Sequence, residues 1–264
     1  MNALESRPLR TLVFDDRGDA DRSVAREIAE LVRAKPTAVL GLATGNTPVG
    51  VYAELARMHR DEALDFSGVV TFNLDEYLDL SPGDPRAFRR WMQARFFDHV
   101  NVRCENARFP ECDAARAPSD PIAGRPIERF VDACERYERA IRSAGGIDVL
   151  ILGIGRNGHI GFNEPGSTRG SRTRIVELEA TTRADAAHVF GDLENVPRRA
   201  ITMGIATILE SRAIRAMAFG RIKAPIVSRT LAEPISPALP ATFLREHADA
   251  TLYLDRDAAT EISR

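Results

Sequence analysis

IDVLILG, residues 147–153, is a run of apolar and β-branched residues closed by a glycine. It is too short for a buried helix and has the length and composition of a strand buried on both faces. Such strands belong to parallel sheets covered by helices on either side. The chain on both sides of it repeats that logic. Toward the N-terminus, PIERFVDACERYERAIRSA (126–144) and PRAFRRWMQARFFDHV (85–100) read as amphipathic helices. VVTFN (69–73), TAVLGLA (37–43) and RTLVFDD (10–16) read as strands, with a helix over 19–35 whose apolar residues Val24, Ile28, Leu31 and Val32 keep a helical period. Toward the C-terminus, RTRIVELE (172–179) reads as a strand, 201–211 as a helix, 213–220 as a strand, 222–233 as a helix and ATLYLDR (250–256) as a strand. Strands alternating with helices predict an α/β fold, a doubly wound, mostly parallel sheet with helices on both faces. No linker or repeat interrupts it, and the Pro/Asp/Ala-rich stretch 110–125 reads as a surface loop, so one domain over 1–264 is expected.

Composition narrows the function classes. Thirty-six basic against 38 acidic residues leave a net charge of −2, with no basic excess for an extended nucleic-acid surface. No run reaches the roughly 18 apolar residues of a membrane helix. The first residues, MNALESRPLRTLVFDD, lack the apolar core of a signal peptide, and a cytoplasmic protein is expected. Cys104, Cys112 and Cys134 have no CxxC spacing and read as free thiols. Five scattered histidines form no HxxxH or HExxH pattern, so no metal site is expected. Only Lys35 and Lys223 are lysines among the basic residues.

Three polar, glycine-bearing segments follow strands directly, where open parallel sheets bind ligands. Ala43-Thr44-Gly45-Asn46-Thr47-Pro48 turns from a strand into a helix, with Thr47 as the expected N-cap. Free N–H groups at that helix start suit a phosphate, and an ordinary strand-to-helix turn has the same composition. Asn73-Leu74-Asp75-Glu76-Tyr77 offers two adjacent carboxylates, either a general base or helix-start acids. Gly153 to Ser167 (GIGRNGHIGFNEPGS) formally contains GxGxxG, but Asn157-Gly158 and Pro165 punctuate it and no helix opens there, which disfavours a dinucleotide site. It reads instead as a long loop presenting His159, a residue type suited to shuttling protons, and Glu164 five residues on to orient it.

NTPVGVYAEL, VVTFNLDEY, GIGRNGHIGFNEPGS with SRTRI, and the Gly220–Lys223 segment together resemble the glucosamine-6-phosphate deaminases, in the family's order over about residues 37–255. The resemblance implies the Rossmann-like, doubly wound fold shared with phosphogluconolactonases and ribose-5-phosphate isomerases. It implies conversion of glucosamine 6-phosphate and water to fructose 6-phosphate and ammonia, without metal or organic cofactor. Asp75 would move a proton between C2 and C1, His159 would open the sugar ring, and Glu164 would assist His159. Gly45, Asn46, Thr47 and Lys223 would hold the phosphate. The partner would be a small amino sugar phosphate, with no nucleic acid or membrane. A homo-oligomer stays open, since family members occur as monomers and hexamers.

Three departures from the family pattern stand out. Asn157 stands where the best-known members have Asp; an amide cannot stabilise an imidazolium by charge, so Glu164 is expected to carry more of that role. His188 stands where a mobile lid after Thr182-Arg183 usually supplies a phosphate-binding Arg, which predicts a weaker grip that sharpens below about pH 6.5. Val176 and Glu177 follow Arg174 where regulated members carry Lys-Thr for an acetylated effector, so no such activation is expected. Galactosamine 6-phosphate is an alternative substrate, and a phosphogluconolactonase or a diverged sugar-phosphate sensor is an alternative activity. The lactonase would not need a base at Asp75. The sensor would carry a DNA-binding domain, for which the few residues before the first strand leave no room.

Overall fold

The 147–153 run becomes the middle strand of a seven-stranded, all-parallel sheet in the computed structural model, which describes residues 8–78, 80, 83–110 and 128–262. The strands are β1 (Arg10–Phe14), β2 (Val39–Leu42), β3 (Val70–Asn73), β5 (Ala107–Arg108), β6 (Val149–Gly153), β9 (Ala213–Ala218) and β10 (Ala250–Asp255). Their spatial order is β1-β10-β9-β6-β2-β3-β5. Alternate residues of each strand enter opposite cores. Leu150 and Leu152 join Leu252 and Leu254 against α4 (Glu128–Ser143), α6 (Ile205–Leu209) and α7 (Ala224–Ala232), through Tyr137, Ile141, Ile208 and Ile226. Val149 and Ile151 join Leu40, Met217 and Tyr253 against α1 (Arg17–Ala34), α2 (Val49–Glu62) and α3 (Phe88–Arg95). Each buried Leu or Ile adds roughly 1.5–3 kcal/mol of transfer free energy. Burial on both faces therefore outweighs the weak intrinsic preference of four- or five-residue strands.

The winding reverses between β2 and β6, which are neighbours although α2, α3 and α4 separate them in the chain. Ligand sites in open sheets form at such a reversal, beyond the carboxyl ends of the strands.

A second sheet was not expected. β4 (Asp75–Tyr77), β8 (Arg199–Thr202) and β7 (Arg174–Glu177) pair antiparallel in the order β4-β8-β7. The stretch 201–211 therefore begins as a strand, and the helix there is only the short α6 after Gly204. Gly204 separates the two because a Cβ there would stand 2.0 Å from the Ser171 carbonyl oxygen. The expected helix 85–100 is shortened to α3, since the chain leaves helical geometry at Phe96. The N-cap of α2 is Pro48 rather than Thr47, and no side chain caps it. The loop expected at 110–125 falls, after Pro110, outside the described residues. No helix among the described residues is long and apolar enough to cross a membrane.

Candidate active site

Four adjacent strands deliver four loops to one edge of the sheet. β9 leads to Lys223, β6 to the His159 loop, β2 to Gly45-Asn46-Thr47 and β3 to Asp75.

The β2 loop turns at Gly45, whose φ of 85° favours glycine, and a Cβ there would meet nothing within 4 Å. Its backbone therefore faces open space at the start of α2. Thr47, not needed as a cap, packs its hydroxyl against Gly153, where a Cβ would lie 3.1 Å from Oγ1. Arg17 supports the loop from behind. Its guanidinium donates to the carbonyls of Asn46 and Thr47, pairs with Asp21 and lies 5.3 Å from the Phe219 ring centroid. Nothing local in the sequence marks Arg17, which is 29 residues from Asn46.

One residue beyond Gly153, the Ile154 carbonyl accepts from Lys223 Nζ at 2.7 Å. The lysine is held by its turn: Gly220, at φ 81°, donates its N–H to both carboxyl oxygens of Asp255, and Lys223 N–H donates to the Gly220 carbonyl. Burial lowers the Lys223 pKa from its usual value; Asp185 works against that and Arg156 with it. The structure thus brings Thr47 and Lys223 to consecutive residues, Gly153 and Ile154.

Asp75 and Glu76, equivalent on paper, separate completely. Glu76 accepts from the backbone N–H groups of Tyr77, Phe88 and Arg89, so it caps the start of α3. Asp75 is only 6% exposed, and burial, with the Glu76 charge added, pushes its carboxyl up to about 8. The His159 loop passes directly over it. Gly161, at φ 57°, is the contact: a Cβ there would lie 3.0 Å from Thr202 Oγ1 and 3.4 Å from Asp75 Oδ2.

Within that loop, His159 Nδ1 lies 3.4 Å from Glu164 Oε2 and 3.3 Å from the Thr182 hydroxyl. Burial alone would raise the Glu164 carboxyl; contacts with His159, Thr182 and Asn157 outweigh it and hold the pKa below the usual glutamate value. Asn157 makes its contacts with the imidazole's surroundings. Its amide donates to Glu164 at 2.8 Å and to Glu179 at 3.1 Å, and its oxygen accepts from the His159 backbone N–H. The imidazole's carboxylate neighbour is Glu164, and Asn157 positions that carboxylate. The ring itself sits on Gly155, where a Cβ would stand 2.2–2.4 Å from three imidazole atoms.

α5 (Ala180–Phe190) lies across this loop. Thr182 reaches His159, and Asp185 forms a two-pronged pair with Arg156. His188, one turn further, is exposed, with Nδ1 2.9 Å from the Asp185 carbonyl of its own helix. Among the described residues no hydrogen bond or ion pair joins it to Gly45, Asn46, Thr47 or Lys223. Thr182, Gly155, Arg156 and Asp185 were not singled out from sequence as site residues. Only the glycine density of 153–161 hinted at the first-order packing around His159.

The sequence profile described as "Glucosamine-6-phosphate isomerases/6-phosphogluconolactonase" matches residues 18–253. The chain belongs to this family. Glucosamine-6-phosphate deaminase 2 of Giardia intestinalis is 46% identical over 246 residues, covering 93% of this chain and 89% of that protein. Glucosamine-6-phosphate deaminase 1 of Bacillus subtilis strain 168 is 42% identical over 236 residues, covering 89% and 92%. The solved structure of a monomeric glucosamine-6-phosphate deaminase matches with a TM-score of 0.88 at 40% identity, covering 96% of this chain and 100% of that one. A 6-phosphogluconolactonase from Trypanosoma brucei shares the fold at TM-score 0.75 but only 20% identity. The family therefore contains both activities. In sequence this chain stands with the deaminases.

Proposed function

We infer that the protein is an amino-sugar-phosphate deaminase that converts glucosamine 6-phosphate and water to fructose 6-phosphate and ammonia. The observation that carries the reading is the buried Asp75 carboxyl, with a pKa of about 8, lying under the loop that holds His159 against Glu164.

The chemistry follows from those groups. His159, held by Glu164 and Thr182, moves the ring-opening protons: one onto the ring oxygen, one from the C1 hydroxyl. The open chain has an aldehyde at C1, which acidifies the C2–H bond. Asp75 takes that proton, the C2 electron pair forms the C1=C2 double bond, the aldehyde oxygen takes a proton from the C2 ammonium, and an enolamine results. The same carboxyl returns the proton to C1, leaving an iminium at C2. Water adds there and the C–N bond breaks to give ammonia and the ketose. A base poised near neutrality suits both halves of this transfer. The amino cation of the substrate also matters. Placed at C2, it stabilises the Asp75 carboxylate and lowers its pKa on binding. A neutral sugar or lactone phosphate offers no such charge, which favours amino sugars at this site. Gly45, Asn46, Thr47 and Lys223 take the phosphate, through open backbone N–H groups and one ammonium.

The test is ammonia release from glucosamine 6-phosphate beside galactosamine 6-phosphate, with 6-phosphogluconolactone hydrolysis measured in parallel. Ammonia from an amino sugar phosphate is expected. Lactone hydrolysis without ammonia would replace this reading with the lactonase.

Arg17 gives a prediction at the phosphate end. Removing its guanidinium in Arg17→Ala takes away a charged donor from the carbonyls of Asn46 and Thr47. Such bonds contribute roughly 1.5–3 kcal/mol. The KM for glucosamine 6-phosphate is expected to rise about tenfold, with kcat nearly unchanged, because Arg17 touches the phosphate loop and not the reacting carbons. A fall in kcat at constant KM in steady-state kinetics would contradict this.

A further inference from the structure

We propose that Arg156 is the second phosphate-binding cation of the site, and that Asp185 on α5 holds it as an exchangeable latch which the incoming phosphate displaces. The proposal rests on the sugar-phosphate reading above and extends it to the lid.

Geometry supports it. Arg156 follows Gly155 in the loop beyond β6, two residues after Ile154, whose carbonyl receives Lys223 Nζ. Arg156 Nε donates to Asp185 Oδ2 at 3.0 Å, and its Nη2 donates to Oδ1, so the guanidinium presents a planar fork to the carboxylate. Both charges are felt at Lys223. Two cations and one carboxylate are therefore grouped at the carboxyl end of β6, whose last residue, Gly153, packs against Thr47. A carboxylate received by a guanidinium fork has the geometry that a phosphate also satisfies, and phosphate carries more charge. Asp185 thus stands in for the anion when no ligand is bound.

The pair is also built to be exchanged. Its side chains are 42% and 39% exposed, and an ion pair so open to water is held weakly. Lys223, by contrast, is half-buried, with its ammonium on the Ile154 carbonyl and its N–H on the Gly220 carbonyl, and remains in place. His188 does not compete for the role, since its ring is exposed and turned to its own helix carbonyl. Phosphate arriving between Lys223 and Arg156 takes the fork and repels Asp185. Asp185 is three residues from Thr182, which contacts His159, so the exchange also alters how α5 lies over the imidazole. Phosphate occupancy and the seat of His159 become coupled through one helix.

The test measures binding of inorganic phosphate to the full chain by calorimetry, so it does not depend on turnover. Arg156→Ala is expected to weaken phosphate about tenfold or more. Asp185→Asn, which removes the competing carboxylate but keeps the side-chain shape, is expected to tighten it several-fold. In the Arg156→Ala background the Asp185→Asn gain should shrink markedly, because most of it acts through Arg156. Thermal unfolding without phosphate checks that each variant folds, and Arg156→Lys should recover part of the affinity. If Asp185→Asn weakens phosphate as Arg156→Ala does, the pair is a structural strut and the proposal is overturned. If neither variant changes binding, Arg156 lies outside the phosphate site and the proposal fails equally. Ammonia release is scored separately. Loss of turnover in the unaltered protein with the phosphate pattern intact would sink the deaminase reading and leave this one standing.

Discussion

Asp75→Asn is expected to lower ammonia release from glucosamine 6-phosphate about 10³-fold while raising thermal stability. The catalytic half follows from removing the group proposed to carry the C2 proton, an effect of roughly 10²–10⁴ for general base catalysis. An amide of the same shape keeps the pocket filled but offers the substrate's amino cation no charge, so KM should rise, by less than kcat falls. In the unaltered enzyme, kcat/KM reports the free enzyme's base. With Asp75 at about 8, kcat/KM should climb about tenfold per pH unit below that value and level off above it. A kcat/KM flat between pH 6 and 8 would remove Asp75 from the role.

The stability half follows from the same burial. The Asp75 carboxyl titrates near 3.8 in its ordinary setting and at about 8 in the fold. A carboxyl raised on folding binds its proton more tightly in the folded state. Between those two values folding takes up a proton, so the Asp75 contribution to stability falls as pH rises through that window and stays low above it. Asparagine has no charge to bury and escapes the penalty. The gain in Tm should therefore be larger at pH 8 than at pH 5. A stabilisation of 1 kcal/mol corresponds to about 2–4 °C for a chain of this size. Differential scanning calorimetry of both proteins at both pH values checks it. Asp21, also raised by burial, to about 6, is common to both proteins and cancels in the difference. A residue whose removal stabilises the fold while abolishing the reaction is held there for chemistry.

Gly155→Ala is expected to lower kcat at least a hundredfold without changing any group that touches substrate. The imidazole of His159 lies on the Gly155 Cα so closely that a methyl would stand 2.2–2.4 Å from Cε1, Nε2 and Nδ1. The ring must leave its seat and with it the contacts to Glu164 and Thr182. Misplacing a catalytic group by about 1 Å costs on the order of 10²-fold. Phosphate binding should fall less than kcat, since Lys223 and the Gly45–Thr47 loop are untouched while Arg156 lies next to the altered residue. Gly170→Ala is the control: its Cβ would meet nothing within 4 Å and activity should be unchanged. An imidazole whose NMR titration is identical in Gly155→Ala and the parent would refute the packing argument.

Much of the scaffold was legible because its signals are local. Runs such as 147–153 and 250–255 are apolar on both faces, and only a helix-covered parallel sheet buries both. The loop 153–167 was legible for the same reason: Asn157-Gly158 and Pro165 bar a helix, whatever lies around them. The antiparallel sheet was hidden. β4 is three residues long and β8 four, too short for any period to show, and ITMGIATIL suits a helix until the Ser171 carbonyl is set against Gly204. Thr47 looked like a cap because its position beside Pro48 is all a sequence displays; its true partner, Gly153, is more than a hundred residues away.

By itself the sequence determined which residues could do chemistry and which strands would end beside them. Those properties depend on side-chain type and on periods within a few residues. Tertiary structure alone decided the roles. It buried Asp75 and turned Glu76 into a helix cap, two outcomes for adjacent carboxylates. It gave Asn157 to Glu164, left His188 outside the Lys223 group, and set Arg156 against Asp185 across 29 residues of chain. The physical reason is that desolvation and charge pairing act through space, and their partners arrive only when strands distant in sequence lie side by side.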